Sequence, residues 1–411
     1  MIGKSFVFVM SVVCWSALAK EDGMDVGEGS LSKKYFQELR FEIDKIVSDQ
    51  VVPGISAKIL HEGNVVFQHT RGLLDVETKS LISEDSLFRI YSMTKPITAV
   101  ATLLLLEDGK LKLEDPVDRY FPEWTQMRAY ENGELVQAKK MKIHHLLTHT
   151  SGLSYGYYGD TLVDKAYREA GLIDDWDYLT QDTKELVKKL SDIPLLFQPG
   201  KRWHYGFSSD VLGHLIERIS DQRLDDFLQE KLFSRLGVND AFFDVPESEH
   251  HRFGTNQYLG ANKRWDVQDT VRKDPEFVDV SFISGGGGLV MTTEAFSRFA
   301  LMLAQEGRFG DQQILNPATV RKMRTNALSQ DALSEGVGFG LGVAVITQVQ
   351  DSSRLTPGSF YWGGAAGTFF WVDPTESLVA VFMVQRIGTP SDVAPRLQGL
   401  VYDSLEAMKG H

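Results

Sequence analysis

The apolar residues of this chain follow helix and strand periods in three successive blocks. In the first block, apolar residues at helical spacing over 36–46 predict an amphipathic helix. Alternation over 55–59, a Glu-Gly-Asn turn at 62–64 and a further apolar run at 65–67 predict a β-hairpin directly after it. The folded part of the chain is therefore expected to start with one helix and two antiparallel strands.

The middle block, residues 91–282, is predicted to be mostly helical, with clear helical periods over 211–219 and 224–236. The last block returns to mixed structure. It is expected to contain a helix at 293–306, strands at 340–346, 369–372 and 378–384, and a terminal helix.

Strands at both ends of the chain with helices between them favour an α+β fold. In this fold one antiparallel sheet, flanked by helices, is built from both termini, and a mainly helical domain is inserted between its halves. We expect residues 33–90 and 283–411 to form the sheet domain together. Residues 91–282 are expected to form the inserted helical domain.

Residues 1–19 have the pattern of a secretory signal peptide. Lys4 supplies the positive charge, an apolar run follows, and residues 17–19 give a small-x-small cleavage site. We therefore expect an exported protein, periplasmic or secreted, with residues 20–32 as a flexible segment. The only cysteine, Cys14, would leave with the signal, which excludes disulfides and thiolate sites. No segment reaches the roughly 18 apolar residues that a membrane-spanning helix needs.

Composition and charge exclude some classes of binding partner but do not identify the function. The 411 residues are 43% hydrophobic and 24% charged, as in an ordinary globular protein with room for two domains. The formal net charge of −13 and the lack of a basic patch argue against nucleic acid as a partner. Composition predicts neither the substrate nor the oligomeric state.

The most informative local pattern is Ser92-Met93-Thr94-Lys95, which opens an apolar helix. A serine and a lysine three residues apart lie on one face of a helix, where the amine can take the proton of the hydroxyl. Pro96 suits a first turn, and the almost wholly apolar run 97–106 predicts a buried helix. The helix amino terminus also favours negative charge that develops on a substrate. Such a pair also arises by chance, so its interpretation depends on the rest of the chain.

Three other patterns suggest different chemistry, and each has a better structural interpretation. Residues 152–156 match the G-x-S-x-G of α/β-hydrolases, but a helix is predicted before Ser154 where that elbow needs a strand. His145 and His149 have the spacing of metal ligands but lack the glutamate of H-E-x-x-H, so no metal is expected. The glycine run 285–288 lacks the lysine of a phosphate loop and is interpreted as tight backbone packing.

Four motifs occur in the order of one known superfamily. They are Ser92-Met93-Thr94-Lys95-Pro96, Glu114-Asp115-Pro116-Val117, Leu146-Leu147-Thr148-His149-Thr150-Ser151-Gly152-Leu153 and Ser284-Gly285-Gly286-Gly287-Gly288-Leu289. Together they resemble the serine β-lactamase and penicillin-binding-protein superfamily, and within it the class C-like branch that includes the family VIII carboxylesterases. The resemblance extends from about Lys33 to the end of the chain. It implies a β-lactamase-like fold and catalytic roles for Ser92 and Lys95.

The resemblance implies a third catalytic residue, Tyr205, at the start of the tyrosine-x-asparagine motif. Its phenol would hydrogen-bond to Ser92 and Lys95 and carry protons, a role in which nearby cations favour its charged form. Phe207 stands where the family has asparagine. Because that asparagine contacts an amide side chain of the substrate, its loss speaks against β-lactam and peptide recognition. Phe207 becomes a candidate substrate contact.

The lysine-threonine-glycine motif of β-lactamases is replaced by Trp362-Gly363-Gly364, a pattern similar to that of the esterase branch. An indole in place of an ammonium removes the cation that would hold a substrate carboxylate, so an uncharged group is expected there. By position in the family, the oxyanion hole consists of the backbone N–H groups of Ser92 and Ala365. The other expected substrate contacts are Trp362, Gly363, Gly364 and Tyr155.

These residues predict an exported serine hydrolase that cleaves carboxylic esters or lactones through an acyl-enzyme on Ser92, with no cofactor. A small-molecule ester or lactone is the expected partner. Two alternatives stay open. One is a β-lactamase or D-alanyl peptidase of the same fold, which penicillins or cephalosporins would acylate. The other is a non-catalytic binding protein on the same scaffold. Transfer of the acyl group to an alcohol instead of water also stays open.

Overall fold

An eight-stranded antiparallel sheet organises the fold. The computed structural model describes residues 34–157, 159–172, 182–270, 277–328, 333–350 and 353–410, so the expected signal peptide and the expected flexible segment 20–32 lie outside the described residues. The strands are β1 Gly54–His61, β2 Asn64–Asp75, β3 Ser80–Leu81, β4 Phe88–Arg89, β5 Arg128–Glu131, β6 Glu134–Gln137, β7 Ala241–Phe242, β8 Asn256–Leu259, β9 Trp265–Asp269, β10 Val290–Met291, β11 Arg308–Phe309, β12 Gln312–Gln313, β13 Val337–Phe339, β14 Ala344–Ile346, β15 Phe360–Gly363, β16 Phe369–Asp373 and β17 Leu378–Val384.

Both halves of the chain supply this sheet, whose order is β13-β14-β15-β16-β17-β1-β2-β3. β1 forms the predicted hairpin with β2, and on its other side it pairs with β17 from Ile55↔Val384 to His61↔Leu378. The first and last blocks of the sequence are thereby joined in one sheet. This arrangement, together with the helices around it, confirms the fold class expected from the sequence.

Helices cover both faces of the sheet and form most of the middle block. The α-helices are α1 Gln37–Ser48, α2 Thr94–Glu107, α3 Ile143–Leu147, α4 Leu162–Glu169, α5 Thr183–Asp192, α6 Ser208–Ser220, α7 Leu224–Leu228, α8 Thr293–Ala304, α9 Pro317–Met323 and α10 Val393–Lys409. Among the described residues, no helix combines the length and apolar character needed to cross a membrane.

The sequence of strand β17 is an unbroken apolar run because the strand is buried on both faces. All seven of its residues are buried, and their side chains alternate between two cores. Val381 and Met383 join the core that contains α8, whereas Ala380 and Phe382 join the core that contains α1 and α10. A strand buried on both faces needs no polar positions.

The helix that follows Ser92 is buried along most of its length. Residues 94–105 of α2 are all buried, and α2 packs against α6. Pro96 lies in the first turn, as the sequence predicts, where its missing N–H costs no hydrogen bond. Ser92 itself precedes the α-helix in a 3₁₀ turn, Tyr91–Met93, that runs directly into it.

Of the strand predicted at 340–346, the part Ala344–Ile346 is confirmed as β14, and the part before it is wrong because the chain reverses there. β13 ends at Phe339 and β14 begins at Ala344, and the N–H of Gly340 donates to the carbonyl of Val343 at 2.8 Å. Gly342 has φ +86°, which favours glycine, so the apolar pattern continued across a turn. The helical stretch at 224–236 is confirmed but irregular, since α7 gives way to a π turn and then a 3₁₀ turn. The domain boundaries remain predictions.

Candidate active site

Ser92 lies where strand β4 passes through a tight turn into α2. The residue before it, Tyr91, has φ +42°, a conformation that costs a non-glycine residue free energy and persists only when its surroundings hold it. Asn256 Nδ2 donates to the Tyr91 hydroxyl at 2.8 Å, and the ring of Phe277 packs edge-on at 5.8 Å. These contacts hold the turn so that Ser92 is partly exposed while both its neighbours are buried.

Lys95 lies one turn further along, with its Nζ 3.1 Å from the Oγ of Ser92. The side chain is 2% exposed, and Nζ also donates to the carbonyl of Gly286 at 2.5 Å. Burial lowers the pKa of Lys95 to about 7, although the nearby charge of Asp210 acts in the opposite direction. A neutral amine is therefore available near neutral pH, which is what a general base for Ser92 requires.

Tyr205 lies on the other side of the lysine, in the segment that leads into α6. Lys95 Nζ is 4.6 Å from the centroid of the Tyr205 ring. Burial raises the pKa of Tyr205 well above its usual value, despite hydrogen bonding with Ser92 and Trp362 that lowers it. We expected nearby cations to favour the charged phenolate, but burial has the largest effect and the charge of Asp210 acts in the same direction. Tyr205 is therefore a protonated phenol, able to donate a proton to a departing group.

The predicted Trp362-Gly363-Gly364 segment packs directly against the turn that carries Ser92. It leaves the end of strand β15, which contacts the 3₁₀ turn Tyr91–Met93. A Cβ on Gly364 would lie 2.4 Å from the carbonyl oxygen of Ile90, so no larger residue fits there without a shift of the backbone. The half-buried indole of Trp362 lies 5.6 Å from the ring of Tyr205. Glycine is thus required for the close approach of the two segments.

The two backbone N–H groups of the predicted oxyanion hole are available. Ala365 is exposed, and Ser92 is the middle residue of the short 3₁₀ turn Tyr91–Met93. Within the described part of the chain, neither N–H donates to a backbone carbonyl. A carbonyl oxygen of a substrate is the kind of acceptor that such groups hold.

Aromatic side chains form the wall beside Lys95 and Tyr205. Tyr155 packs edge-on against Tyr205 at 5.4 Å and against Phe207 at 4.6 Å, and Tyr157 stacks on its outer face. Phe207 is 1% exposed, so its side chain lies behind Tyr155. Tyr155 is also buried, at 8% exposure. In this wall Tyr157 is the exposed member.

The serine and histidine patterns that suggested other chemistry do not have the local structure that this chemistry needs. Ser154 is fully buried in an irregular segment between α3 and α4, without the preceding strand of a nucleophile elbow. His145 and His149 do not share a helix face, because α3 ends at Leu147. Among the described residues, no group of three or more His, Cys, Asp or Glu side chains is placed to hold a metal ion.

Two buried residues near Lys95 were not predicted from the sequence to belong to the site. Asp210, in the first turn of α6, couples electrostatically to Lys95, and Gly286 gives Lys95 its carbonyl. The glycine run was expected to be tight packing, and a Cβ on Gly286 would indeed lie 2.4 Å from Asp210 Oδ2. The signal available in the sequence was an aspartate among the apolar positions of a helical pattern.

Comparison with known proteins identifies the class to which this fold and site belong. The β-lactamase family model matches residues 39–402, and the chain belongs to that family. This confirms the resemblance seen in the motifs and the β-lactamase-like fold.

Two curated relatives and one solved structure illustrate the range of the family. The chain is 33% identical to Protein Rv1367c of Mycobacterium tuberculosis, over 77% of this chain and 81% of the relative. It is 30% identical to Esterase EstB of Burkholderia gladioli, over 83% and 88%. The structure of EstCE1, described as a hydrolase with promiscuous acyltransferase activity, aligns with a TM-score of 0.80 at 23% identity, over 91% of this chain and all of EstCE1. The expected enzyme class, a serine hydrolase of carboxylesterase type in this superfamily, is confirmed.

Proposed function

We propose that this protein hydrolyses uncharged carboxylic esters or lactones through an acyl-enzyme formed on Ser92. The observation that carries the proposal is the 3.1 Å separation of Lys95 Nζ and Ser92 Oγ, with the lysine buried and its pKa lowered to about 7. A serine hydroxyl is a weak nucleophile until a neighbouring base takes its proton. The neutral amine of Lys95 is that base.

The remaining groups account for the other charges that develop during acyl transfer. As Ser92 Oγ bonds to the acyl carbon, its proton passes to Lys95, and the carbonyl oxygen becomes an oxyanion beside the N–H groups of Ser92 and Ala365. When the bond to the alcohol breaks, the leaving oxygen takes the phenolic proton of Tyr205, which the ammonium of Lys95 replaces. Water then attacks the acyl group, the carboxylic acid leaves, and Ser92 regains its proton.

The preference for uncharged esters rests on Trp362 and Phe207. Trp362 occupies the position at which β-lactamases carry a lysine, and an indole offers no charge to a substrate carboxylate. Phe207 replaces the asparagine that would contact a substrate amide, and it is buried behind Tyr155. Esterase EstB, the 30% identical relative, supports an ester as the substrate class. A small organic ester fits this chemistry better than a β-lactam.

The direct test compares a p-nitrophenyl ester with a chromogenic cephalosporin, using the wild-type protein and Ser92→Ala. We expect serine-dependent turnover of the ester, and an increase in the intact mass of the wild-type protein by one acyl group after rapid quenching. Dominant turnover of the cephalosporin would move the function to β-lactamase. If neither compound acylates the wild-type protein, the non-catalytic alternative is favoured.

We further propose that the protein is exported, on the strength of the signal-peptide pattern at residues 1–19. Expression of the full chain in a bacterial host, followed by fractionation and intact mass measurement, tests this. A mature protein that begins at Lys20 outside the cytoplasm is the expected result. A full-length protein retained in the cytoplasm would contradict it.

A further inference from the structure

Asp210 is a buried carboxylate that the proposed chemistry does not use. It lies in the first turn of α6 and is 1% exposed. Its Oδ1 accepts hydrogen bonds from Ser284 Oγ at 2.5 Å and from the N–H of Gly286 at 3.0 Å. Burial raises the pKa of Asp210, whereas the charge of Lys95 and these two hydrogen bonds act in the opposite direction, so the donors favour the ionised carboxylate.

Gly286 connects this carboxylate to the base of the proposed reaction. Its N–H is fixed by Asp210, and its carbonyl accepts from Lys95 Nζ at 2.5 Å. A side chain at this position would collide with the Asp210 carboxylate, which explains the glycine. Asp210 therefore holds the backbone segment that aims an acceptor at Lys95, and its own negative charge faces the same amine.

Tyr205 and His149, two other titratable groups close to Lys95, carry no charge near neutral pH. The rings of Tyr205 and Tyr155 lie 4.6 and 5.4 Å from Lys95 Nζ, and burial keeps Tyr205 protonated by raising its pKa. Burial, together with the charge of Lys95, lowers the pKa of His149 well below its usual value, so its imidazole is neutral. Among the described residues, Asp210 is the one whose charge acts on the protonation of Lys95.

We propose that Asp210 is a positioning residue which, through Gly286 and through its own charge, sets the pH at which Lys95 can take the proton of Ser92. The proposal rests on the proposed role of Lys95 as general base. Asp210 itself touches neither Ser92 nor the reacting atoms.

The direction of the effect follows from the sign of the charge. A carboxylate stabilises the ammonium form of Lys95, so it acts against the burial that lowers the pKa of the lysine. The variant Asp210→Asn keeps the size of the side chain and an acceptor oxygen but removes the charge. The pKa of Lys95 then falls further, and the acidic limb of the pH profile moves to lower pH by roughly one unit or more.

The experiment measures the rate at which a fluorophosphonate labels Ser92 as a function of pH. In this reaction the Oγ–phosphorus bond forms, fluoride leaves and the serine proton goes to Lys95. The labelling rate therefore depends on the fraction of Lys95 that is neutral, and no carboxylic ester substrate is needed. The variants are Asp210→Asn, Ser284→Ala and the matched control Asp373→Asn. Asp373 is also fully buried and bonded, to Thr356 and Tyr402, but lies at the far end of β16.

We expect the midpoint of labelling to fall by roughly one pH unit or more in Asp210→Asn and to stay in place in Asp373→Asn. Ser284→Ala loses one hydrogen bond to the carboxylate, which weakens the ionised form, so a smaller shift in the same direction is expected. An unchanged midpoint in Asp210→Asn, or an equal shift in the control, overturns the proposal. If Asp210→Asn does not fold, as judged by thermal unfolding, an unchanged midpoint in Ser284→Ala overturns it.

Parallel assays with the p-nitrophenyl ester separate this proposal from the proposed function. Labelling of Ser92 with the expected shifts but without ester turnover would refute the esterase function and leave the role of Asp210 standing. Ester turnover with equal midpoints in all variants would refute the role of Asp210 and leave the esterase function standing. Absence of labelling at Ser92 in the wild-type protein would overturn both.

Discussion

Two serines in this molecule have a basic side chain and a buried carboxylate close by, yet their surroundings differ. Ser92 is partly exposed, and its Oγ lies 3.1 Å from Lys95 Nζ. Ser154 is fully buried, and its Oγ lies 3.2 Å from His204 Nε2 and 3.2 Å from Asp164 Oδ1. By residue type alone, the second cluster is closer to a serine-histidine-aspartate triad.

The difference is in which atoms already have partners. The Ser154 hydroxyl donates a hydrogen bond to Asp164, and its oxygen accepts one from the N–H of Gly156 at 2.9 Å. Asp164 also accepts from Thr161, where it belongs to the cap of α4. In a triad the carboxylate orients the histidine, whereas here it binds the serine itself. The Ser154 cluster is therefore a structural crosslink, and the region around Ser92 keeps the base and donors that a substrate needs.

Replacing each serine in turn tests most directly which of the two is the nucleophile. Ser92→Ala is expected to lower kcat/KM for an ester by at least about 10³-fold, because the nucleophile is lost. Ser154→Ala should change kcat/KM by less than about tenfold. It should instead cost about 1–3 kcal/mol of unfolding free energy, since Gly156 and Asp164 lose a buried partner. Steady-state kinetics and urea unfolding measure both. The opposite pattern would make Ser154 the nucleophile.

The next largest effect is expected at Tyr205. Tyr205→Phe removes the phenolic proton but keeps the ring beside Lys95, and kcat should fall by about 10²- to 10⁴-fold. The matched control is Tyr120→Phe. This variant loses a 2.9 Å hydrogen bond from the Tyr120 hydroxyl to Asp115, which lies away from the site. Its kcat should equal that of the wild type. Equal kinetics for the two variants would remove Tyr205 from the proton transfer.

The pH dependence distinguishes the two clusters by the identity of the base. If Lys95 is the base, the rate rises as the amine loses its proton, so the acidic limb of kcat/KM lies near pH 7. Burial and the charge of Arg202 lower the pKa of His204 below its usual 6.5, so a histidine base would place the limb below that value. Measurement of kcat/KM from pH 5 to 9 separates them. A limb well below pH 6.5 would favour His204 with Ser154.

How far the sequence predicts these features depends on how local they are. Ser92 and Lys95 share one helical turn, so their contact follows from spacing, and the motif resemblance found Tyr205. Asp210 reaches Lys95 through the packing of α6 against α2, and Gly286 does so through a segment 76 residues further along the chain, so no local pattern encodes either contact. The protonation of Tyr205 was predicted with the wrong sign for the same reason, because burial is a tertiary property.

The start of the strand predicted at 340–346 was wrong for a related cause. Apolar residues do alternate there, but a Cβ at Gly340 would lie 2.0 Å from the carbonyl oxygen of Met323. The close approach of α9 and the left-handed φ of Gly342 turn the chain, and both depend on contacts outside the window. By contrast β17 was predicted with its bounds, since a strand buried on both faces has an unbroken apolar sequence.

The smallest expected effect concerns the indole N–H of Trp362, which should influence rate and not stability. Burial raises the pKa of Tyr205, and hydrogen bonding with Trp362 partly offsets it. Trp362→Phe keeps an aromatic ring but removes the indole N–H, so the phenol gives up its proton less readily. If this polar contact is worth as much as a hydrogen bond, about 0.5–1.5 kcal/mol, its loss corresponds to a fall in kcat of about two- to twelvefold.

The matched control for this change is Trp124→Phe, whose indole Nε1 donates to the carbonyl of Val187 at 3.2 Å in the helical region. That variant should lower the midpoint of thermal unfolding and leave kcat unchanged, because its bond supports only the packing of the chain. Trp362→Phe should do the reverse. A loss of stability without a change in kcat at Trp362 would mean that the indole merely packs against Tyr205, and the region around Ser92 would then depend on fewer polar contacts than its geometry indicates.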